Sequence, residues 1–250
     1  MLSYQHVYHA GGRADLHKHR ALVALLLHLI GKDRPLSYLE SHAGRGLYDL
    51  ASPEAWQTGE AEAGIRQYLA SPSAAEDPYR RLIEAVRTAH GPDAYPGSPL
   101  IARTLLRPAD RLHLIELHPA EYRALRRQLG GPNVHLHRRD GFEGVLALAP
   151  PSPRRGMALI DPSYEVKSDY ETTAEVALKL RQKWPEGVLL IWYPILEAGG
   201  HERLRRGLEG EGAMLADEAR WPALKSGHGL VGSGLVCLNA PYGFGWPVRL

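Results

Sequence analysis

Short apolar runs alternate with segments of helical spacing along most of the chain. The runs that predict buried strands lie at 35–40, 111–117, 134–140, 157–161 and 188–193. Helical spacing appears at 16–30, 100–106, 120–129, 172–184 and 201–208. Strands that alternate with helices are typical of an α/β protein, in which a mostly parallel sheet is covered by helices on both faces.

Residues 48–96 depart from this alternation. They contain two helical patterns, at 54–69 and 78–90, with no strand between them. This arrangement predicts a small helical insertion subdomain within a single domain of residues 1–250. An insertion beside a site is a natural place for substrate contacts, although a purely structural role is equally open.

The last part of the chain changes to a β-like pattern at 214–224 and 234–239. We expect two antiparallel strands there, added at one edge of the sheet. The second segment contains the single cysteine, Cys237, within an apolar run, which favours a buried structural thiol over a nucleophile. One cysteine excludes an internal disulfide and a metal site built from cysteines. It also argues against C5-pyrimidine methylation, which needs a thiolate.

The 250 residues carry a formal net charge of +2, which alone does not indicate a nucleic-acid partner. Local arginine pairs, such as Arg126-Arg127 and Arg138-Arg139, are more suggestive, although most such pairs are solvated surface. The longest apolar run, 21–30, is far shorter than a bilayer span, and the polar start of the chain is unlike a secretory signal. We therefore expect a cytoplasmic protein without membrane contact.

Histidines are concentrated in the first twenty residues. The pairs His6/His9 and His17/His19 have spacings that would suit a metal site. No second cluster of Cys, Asp or Glu completes such a site nearby, so no metal is expected. The other interpretation is an exposed arm ahead of the first helix, with Asp15 as the helix cap.

Four of the predicted strands end in acidic or polar residues. These residues are Glu40/His42, Glu116, Asp140 and Asp161. Each could be a helix cap or a surface turn, but the carboxyl ends of parallel strands are also where ligands bind. The Gly44-Arg45-Gly46 turn after the first strand lacks the third glycine of a dinucleotide fingerprint, because residue 49 is Asp49. The pattern predicts a nucleoside pocket rather than a site for a dinucleotide.

The tetrapeptide Asp161-Pro162-Ser163-Tyr164 follows the apolar run at 157–160. The Asp161 carboxylate and the Pro162 carbonyl are two acceptors side by side, and Tyr164 adds an aromatic face. Such a set suits the exocyclic amine of an adenine or a cytosine, with the base stacked on the tyrosine. The same four residues are also good turn chemistry.

Several segments together resemble a known family. They are Tyr4-x-His6-x-x-His9-Ala10-Gly11 with Ala14-Asp15-x-x-Lys18-His19, His42-Ala43-Gly44-x-Gly46, Tyr95-Pro96-Gly97-Ser98-Pro99, Glu116-Leu117-His118-Pro119, Asp140-Gly141-Phe142 and Asp161-Pro162-Ser163-Tyr164. Over nearly its whole length the chain resembles the RlmJ-type 23S ribosomal RNA adenine-N6 methyltransferases, which use S-adenosyl-L-methionine. The N-terminal segment and Tyr-Pro-Gly-Ser-Pro are the most discriminating parts of the match.

This resemblance implies a Rossmann-like, S-adenosylmethionine-dependent methyltransferase fold with a helical insertion. The cofactor-binding residues it implies are His19, His42, Ser98, Glu116, Asp140 and Gly141. It further implies that Asp161 is catalytic, that Tyr4 meets the RNA, and that N-terminal histidines, including His6, lie over the cofactor and target base. The family tetrad is commonly Asp-Pro-Pro-Tyr, and Ser163 replaces its second proline here. Because both acceptors are retained, we expect a slightly less rigid loop rather than lost activity.

The predicted reaction is methylation of the N6 amine of an adenine in 23S ribosomal RNA. Acceptors at Asp161 and Pro162 would localise the lone pair of the amine, and Asp161 would take up its proton. The flipped base would stack on Tyr164, while Lys18 and surface arginines would hold phosphates. The expected partner is 23S rRNA, naked or in an early assembly intermediate, and the protein is expected to be a monomer.

Three other functions remain open from the sequence. The first is an adenine-N6 methyltransferase that acts on DNA. The second is a non-catalytic RNA-binding protein on the same fold, which the set of acidic strand ends argues against. The third is a hydrolase with a histidine-bound metal.

Overall fold

The computed structural model describes residues 5–212, 214–222 and 229–247. The strands in this part of the chain are β1 (Ser37–Glu40), β2 (Leu47–Asp49), β3 (Ala94–Pro96), β4 (Arg111–Ile115), β5 (Val134–His137), β6 (Gly156–Ile160), β7 (Val188–Leu196), β8 (Leu215–Arg220) and β9 (Leu230–Leu238). The α-helices are α1 (Arg13–Ile30), α2 (Pro53–Thr58), α3 (Gln67–Ala70), α4 (Pro78–His90), α5 (Ser98–Leu105), α6 (Pro119–Gln128), α7 (Gly141–Leu148), α8 (Asp169–Lys183) and α9 (His201–Gly207). Short 3₁₀ turns at His6–Tyr8 and Pro72–Ala74 and a π-helical turn at Glu62–Arg66 complete them.

Seven strands form one sheet in the order β5-β4-β1-β6-β7-β9-β8. The first five are parallel, whereas β9 pairs antiparallel with both β7 and β8. The predicted α/β class, with a mostly parallel sheet and antiparallel strands at one edge, is therefore confirmed. The order reverses at β1, between β4 and β6, which is the position where open α/β sheets bind ligands.

Strand side chains alternate between two hydrophobic cores. Tyr38 of β1 packs on the side of α1, α4 and α5, whereas Leu39 packs on the side of α7, α8 and α9. Both residues are fully buried, as expected for strands covered on both faces. Cys237 on β9 is buried in the first core, and burial raises the pKa of its thiol to about 12, so it is a structural residue as predicted.

The prediction that the strand at 188–193 stops at Pro194 is wrong. Strand β7 continues through Pro194 to Leu196, with Pro194 opposite Ser233 of β9. The neighbouring β6 ends at Ile160, opposite Ile191. Beyond that point β9 is the strand that pairs with β7 among the described residues, and it does so on one side of β7. The missing N–H of a proline is tolerated where a strand has a free side.

The insertion also differs from its prediction. β2 and β3 pair antiparallel and join its two ends, so the predicted helical segment 48–96 begins and ends in a short strand. The predicted helix at 54–69 is broken, because α2 ends at Gly59 in the left-handed region (φ 66°). The chain resumes in the π-helical turn, where Gly64 has non-helical angles (φ −104°, ψ −106°).

The first helix begins earlier than predicted, at Arg13, and Gly12 is its N-cap. Asp15 is therefore not the cap residue, since it lies in the first turn, where its carboxylate accepts from the backbone N–H of Gly11 (3.0 Å). In the part of the chain that the structure describes, none of the helices combines the length and apolar character needed to cross a bilayer.

Candidate active site

The candidate site lies at the carboxyl edge of the sheet, where the strand order reverses. Glu40, the last residue of β1, is in register with β4 and β6 one residue before each of those strands ends. The residues that follow the three strands therefore emerge side by side. Glu116 and Asp161 share this edge, and the backbone N–H of Asp161 donates to Ser41 Oγ (3.3 Å).

Asp140 reaches the same edge from the neighbouring strand β5. It is the N-cap of α7, and its Oδ1 accepts from the backbone N–H of Glu143 (2.9 Å). Burial lowers the pKa of His42 to about 4, while the nearby carboxylates of Asp161 and Asp140 act in the opposite direction. His42 is consequently a neutral imidazole between two of the predicted carboxylates.

Gly141 allows His42 to pack closely on the start of α7. A Cβ at position 141 would lie 2.2 Å from the Ser41 carbonyl oxygen and 2.7 Å from the His42 ring. The His42 ring also meets Phe142 edge-on, with centroids 5.1 Å apart. A glycine is needed at 141 because any side chain would push these two loops apart.

Glu116 is held in place by the backbone of two loops. Its Oε2 accepts from the N–H of Gly44 (2.8 Å), and its Oε1 accepts from the N–H of His118 (2.6 Å). Gly44 has a φ of 64°, a conformation that favours glycine. Burial raises the pKa of Glu116, and the two N–H donors oppose that shift.

Asp161 is bound by Lys18 of α1. Lys18 Nζ lies 2.7 Å from Asp161 Oδ2 and 3.1 Å from Asp15 Oδ1, and its side chain is 5% exposed. His6 Nε2 lies 2.9 Å from Asp15 Oδ2, which extends the network towards the N-terminus. The prediction that Lys18 holds an RNA phosphate is therefore wrong, since its ammonium group is buried between two carboxylates.

The close contacts in this network determine which of its groups are charged at neutral pH. Burial would lower the pKa of Lys18, but the carboxylates of Asp161 and Asp15 raise it above its usual range. Burial would likewise raise the pKa of Asp15, but His6, Lys18 and His19 hold it well below its usual range. The amine and the Asp15 carboxylate therefore both stay ionised at neutral pH.

His19 and Ser98 lie one layer deeper than the open edge. His19 is buried, its Nδ1 is 2.9 Å from the Tyr95 hydroxyl, and burial lowers its pKa to about 3. Ser98 is buried and its hydroxyl donates to Glu40. Both side chains are engaged inside the protein, and their assignment to the cofactor stays a prediction.

Tyr164 is placed differently from its prediction. It is 6% exposed with a φ of 55°, and its hydroxyl donates to the carbonyl of Trp192 (2.6 Å). Its ring packs on Tyr170, with centroids 4.6 Å apart. The expectation that this ring offers a free face to the target base is not met, because core residues already occupy it.

The two predicted acceptors directly follow β6, where Asp161 is half-buried and Pro162 is buried. In the part of the chain that the structure describes, no donor is bonded to Oδ1 of Asp161 or to the carbonyl of Pro162. His6 forms part of the 3₁₀ turn over this region, with its ring against Tyr48 at 5.3 Å. Tyr4 lies outside the described residues.

Trp192 was not identified as a site residue from the sequence, and Glu40 was predicted only as one of the acidic strand ends. Trp192 of β7 lies beside Lys18, whose Nζ is 5.2 Å from the centre of the indole ring. The indole Nε1 of Trp192 donates to Ser233 Oγ (2.8 Å). The sequence pattern indicated only a strand there. Glu40 is fully buried, and its carboxyl group accepts from the Tyr38 hydroxyl (2.9 Å) as well as from Ser98. Its acidic character at a strand end was the one available signal.

Comparison with known proteins agrees with this arrangement. Residues 33–247 match the family described as "Ribosomal RNA large subunit methyltransferase D, RlmJ". The chain is 36% identical to ribosomal RNA large subunit methyltransferase J of Escherichia coli, over 97% of this chain and 88% of that protein. It is 37% identical to the protein of the same name from Haemophilus influenzae, with the same two coverages.

A solved structure gives the same result for the fold. Protein LPL1258 from Legionella pneumophila superposes with a TM-score of 0.85 and 35% identity, covering 94% of this chain and 88% of that one. The sequence match extends through β1 and both acidic strand ends at 116 and 161. The chain therefore belongs to the RlmJ family of ribosomal RNA large subunit methyltransferases.

Proposed function

We propose that this protein transfers a methyl group from S-adenosyl-L-methionine to the N6 amine of an adenine in 23S ribosomal RNA. The observation that carries the proposal is the geometry of Asp161. One of its oxygens is held by Lys18 at 2.7 Å, while the other accepts no hydrogen bond from the described residues and is followed in the chain by the Pro162 carbonyl. A carboxylate fixed in this way presents an acceptor of defined position to an incoming amine.

Asp161 and Pro162 have distinct tasks in this proposal. The two acceptors bind the two N–H groups of the exocyclic amine and draw its nitrogen towards a tetrahedral geometry, which localises its lone pair. Asp161 then takes the proton that the methylated nitrogen releases, directly or through water. The ion pair with Lys18 keeps the carboxylate oriented towards the amine.

The cofactor fits the remaining groups of the edge. S-adenosyl-L-methionine supplies an electrophilic methyl group when it is bound. Glu116, which two backbone N–H groups orient, is suited to accept from ribose hydroxyls. Asp140 can accept from the adenine amino group, and neutral His42 and Gly141 line the approach between them. His19 and Ser98 would contribute to the cofactor site from the buried layer beneath these residues.

The RNA substrate requires a base that leaves its stack to reach Asp161. His6 is connected to Asp161 through Asp15 and Lys18, so we assign it to the target nucleotide. Tyr4 is assigned to the RNA on the family resemblance alone. In this conformation Tyr164 stabilises the loop through Trp192 rather than stacking on the base. The substrate is naked 23S rRNA or an early assembly intermediate in the cytoplasm, and the protein acts as a monomer.

Substitution of Asp161 tests the proposal directly. Asp161→Asn removes the proton acceptor and the charge but keeps the shape, so we expect at least a hundredfold loss of methyl transfer, on the scale of one general base. Calorimetry should give an unchanged affinity for S-adenosyl-L-methionine. Asp33→Asn is the matched control, because Asp33 is fully exposed and its carboxylate contacts only Arg107 among the described residues.

The transfer is measured with tritium-labelled cofactor on in vitro transcribed 23S rRNA and, in parallel, on duplex DNA. Label in rRNA alone supports the proposal, and mass mapping then locates the methylated adenine. Label that appears in DNA instead would assign the enzyme to DNA. Full turnover by the Asp161→Asn protein would remove Asp161 from the mechanism.

A further inference from the structure

Three histidine rings form a column on strands β4 and β5. His113 and His135 are directly opposite each other in the sheet, and their rings stack with centroids 4.8 Å apart. The rings of His113 and His137 also stack, with centroids 5.7 Å apart, and Nε2 of His137 lies 3.4 Å from Nδ1 of His113. All three are half-buried. The column lies away from the network of Asp161 and is not used in the proposed reaction.

The column lies on a defined face of the sheet. The residues that alternate with it, such as Leu112 and Leu136, pack into the core beside α1 and α5. The histidines therefore point to the opposite face, the one that carries α7. β5 is the terminal strand of the sheet on this side.

Arg111 and Arg139 lie close enough to the column to act on the pKa of His113 and of His137, respectively. Burial, followed by His135, His137 and Arg111, lowers the pKa of His113 to about 4. Burial, followed by His135 and Arg139, lowers the pKa of His137. His113 is therefore a neutral imidazole at neutral pH, and the positive charges beside the column are those of Arg111 and Arg139. We call the surface formed by His113, His135, His137, Arg111 and Arg139 the histidine–arginine face.

The arginines of this face are exposed. Arg111 forms no ion pair within residues 5–212, 214–222 and 229–247. The neighbouring Arg139 contacts Glu143 of α7 at 3.9 Å, and that glutamate is 76% exposed. Positive charge is therefore concentrated on this face without a buried carboxylate to balance it, although the chain as a whole has a net charge of only +2.

The composition of the face matches one class of ligand. Metal binding is not supported, since the described residues contain no group of three or more His, Cys, Asp or Glu side chains arranged to hold an ion. Guanidinium groups and imidazole N–H groups bind phosphate oxygens, and imidazole rings stack with nucleic-acid bases. The face leads through residues 138–139 to Asp140 at the active edge, and β5 is three strand spacings from β6, roughly 14 Å.

We propose that the histidine–arginine face binds the phosphate backbone of the RNA substrate at nucleotides outside the target adenine. It acts as a second contact surface that aligns the RNA with the active edge. This inference rests on the proposed function for the identity of the RNA. The contact contributes to the affinity for RNA and not to the chemical step, because the face lies outside the Asp161 network.

Two variants and a control test the contact. Arg111→Gln/Arg139→Gln removes two exposed charges, and His113→Gln/His135→Gln/His137→Gln removes the column. The control is Arg126→Gln/Arg127→Gln, which also removes two positive charges but removes them from α6. This helix lies on the opposite face of the sheet, where its buried residue Leu125 packs. The arginine pairs are exposed, so these two variants are expected to fold like the parent protein.

Binding of in vitro transcribed 23S rRNA is measured by filter retention at several salt concentrations without cofactor. We expect the arginine variant and the histidine variant to bind at least tenfold more weakly. The slope of log affinity against log salt should fall by about 0.7 for each phosphate of single-stranded RNA that the variant no longer neutralises. KM for RNA should rise with kcat unchanged, and the control should stay within twofold of the parent.

Parent-like binding by the arginine variant would overturn the inference, and so would an equal loss in the α6 control. An absence of RNA binding by the parent protein would also overturn it. None of these results decides the proposed function, because tritium transfer to rRNA and its dependence on Asp161 are measured separately.

Discussion

Lys18 is bound at once by carboxylates from two distant parts of the chain. Asp161 lies 143 residues away from it, and Asp15 lies one helical turn before it. The acids at the strand ends were predictable from the sequence, because an apolar run that stops at a carboxylate is a local pattern. The partner of Asp161 was not predictable, since it depends on how α1 packs over the sheet.

Replacement of Lys18 should destabilise the protein strongly. Lys18→Met leaves two carboxylates without their shared cation, and breaking a buried ion pair costs about 3–5 kcal/mol. Urea unfolding of the purified protein measures this loss. Lys179→Met is the matched control, because Lys179 and its partner Glu175 are both more than half exposed and such pairs contribute little. Equal stabilities for the two variants would contradict the ion-pair account.

Glu40 should make stability depend on pH. Burial raises the pKa of Glu40 to about 8 from its usual 4.5, although Ser98 and Tyr38 donate to it. Between these values the folded protein retains a proton that the unfolded chain releases. The stabilising contribution of this proton is therefore complete below about pH 4.5 and is lost as the pH rises through 8.

Glu40→Gln should remove this pH dependence. Relative to the parent protein, the variant should gain stability as the pH rises from about 5 to about 8, because the neutral amide never ionises. Urea unfolding at both pH values measures the difference. Glu76→Gln, at a side chain that is 97% exposed, should follow the parent at both values. Parallel curves for Glu40→Gln and the parent would show that Glu40 is ionised in the folded state.

Among the elements, the insertion shows most clearly where sequence periodicity fails. The spacing of Ile65, Tyr68 and Leu69 is helical, yet the segment before it is not a regular helix. The cause is a contact with the start of α1, where Ile65 donates its N–H to the Gly11 carbonyl (2.8 Å). Gly64 permits that approach, since a Cβ there would lie 2.1 Å from the same oxygen. A pattern of apolar residues carries no information about such a backbone contact.

Gly64→Ala should therefore destabilise the insertion and its contact with α1. The methyl group must displace backbone atoms of Gly11 and Gly12, and overpacking of this kind costs about 1–3 kcal/mol. Thermal unfolding followed by circular dichroism measures the loss. Gly212→Ala serves as the control, because a Cβ there meets no atom within 4 Å. An unchanged melting temperature for Gly64→Ala would disprove the close approach.

For the whole molecule, the class of fold was predictable, whereas the order of its strands was not. Alternating apolar runs and helices specified a parallel sheet, and the β-like end specified antiparallel strands at its edge. The reversal at β1 follows from packing between distant elements, which a single sequence does not display. The same holds for the histidine–arginine face, because His113 and His135 meet only when β4 and β5 pair in register.

The two strands that end the sheet determine what can be added to it. β8 ends at Arg220, whose side chain is 57% exposed, and β5 is four residues long and is followed by two exposed arginines. A further strand would have to strip water from these charges to form its hydrogen bonds, which disfavours edge-to-edge growth. The free backbone groups of β5 and β8 are thereby protected from pairing with a strand of another molecule. We therefore expect this enzyme to tolerate high concentration without forming fibrils.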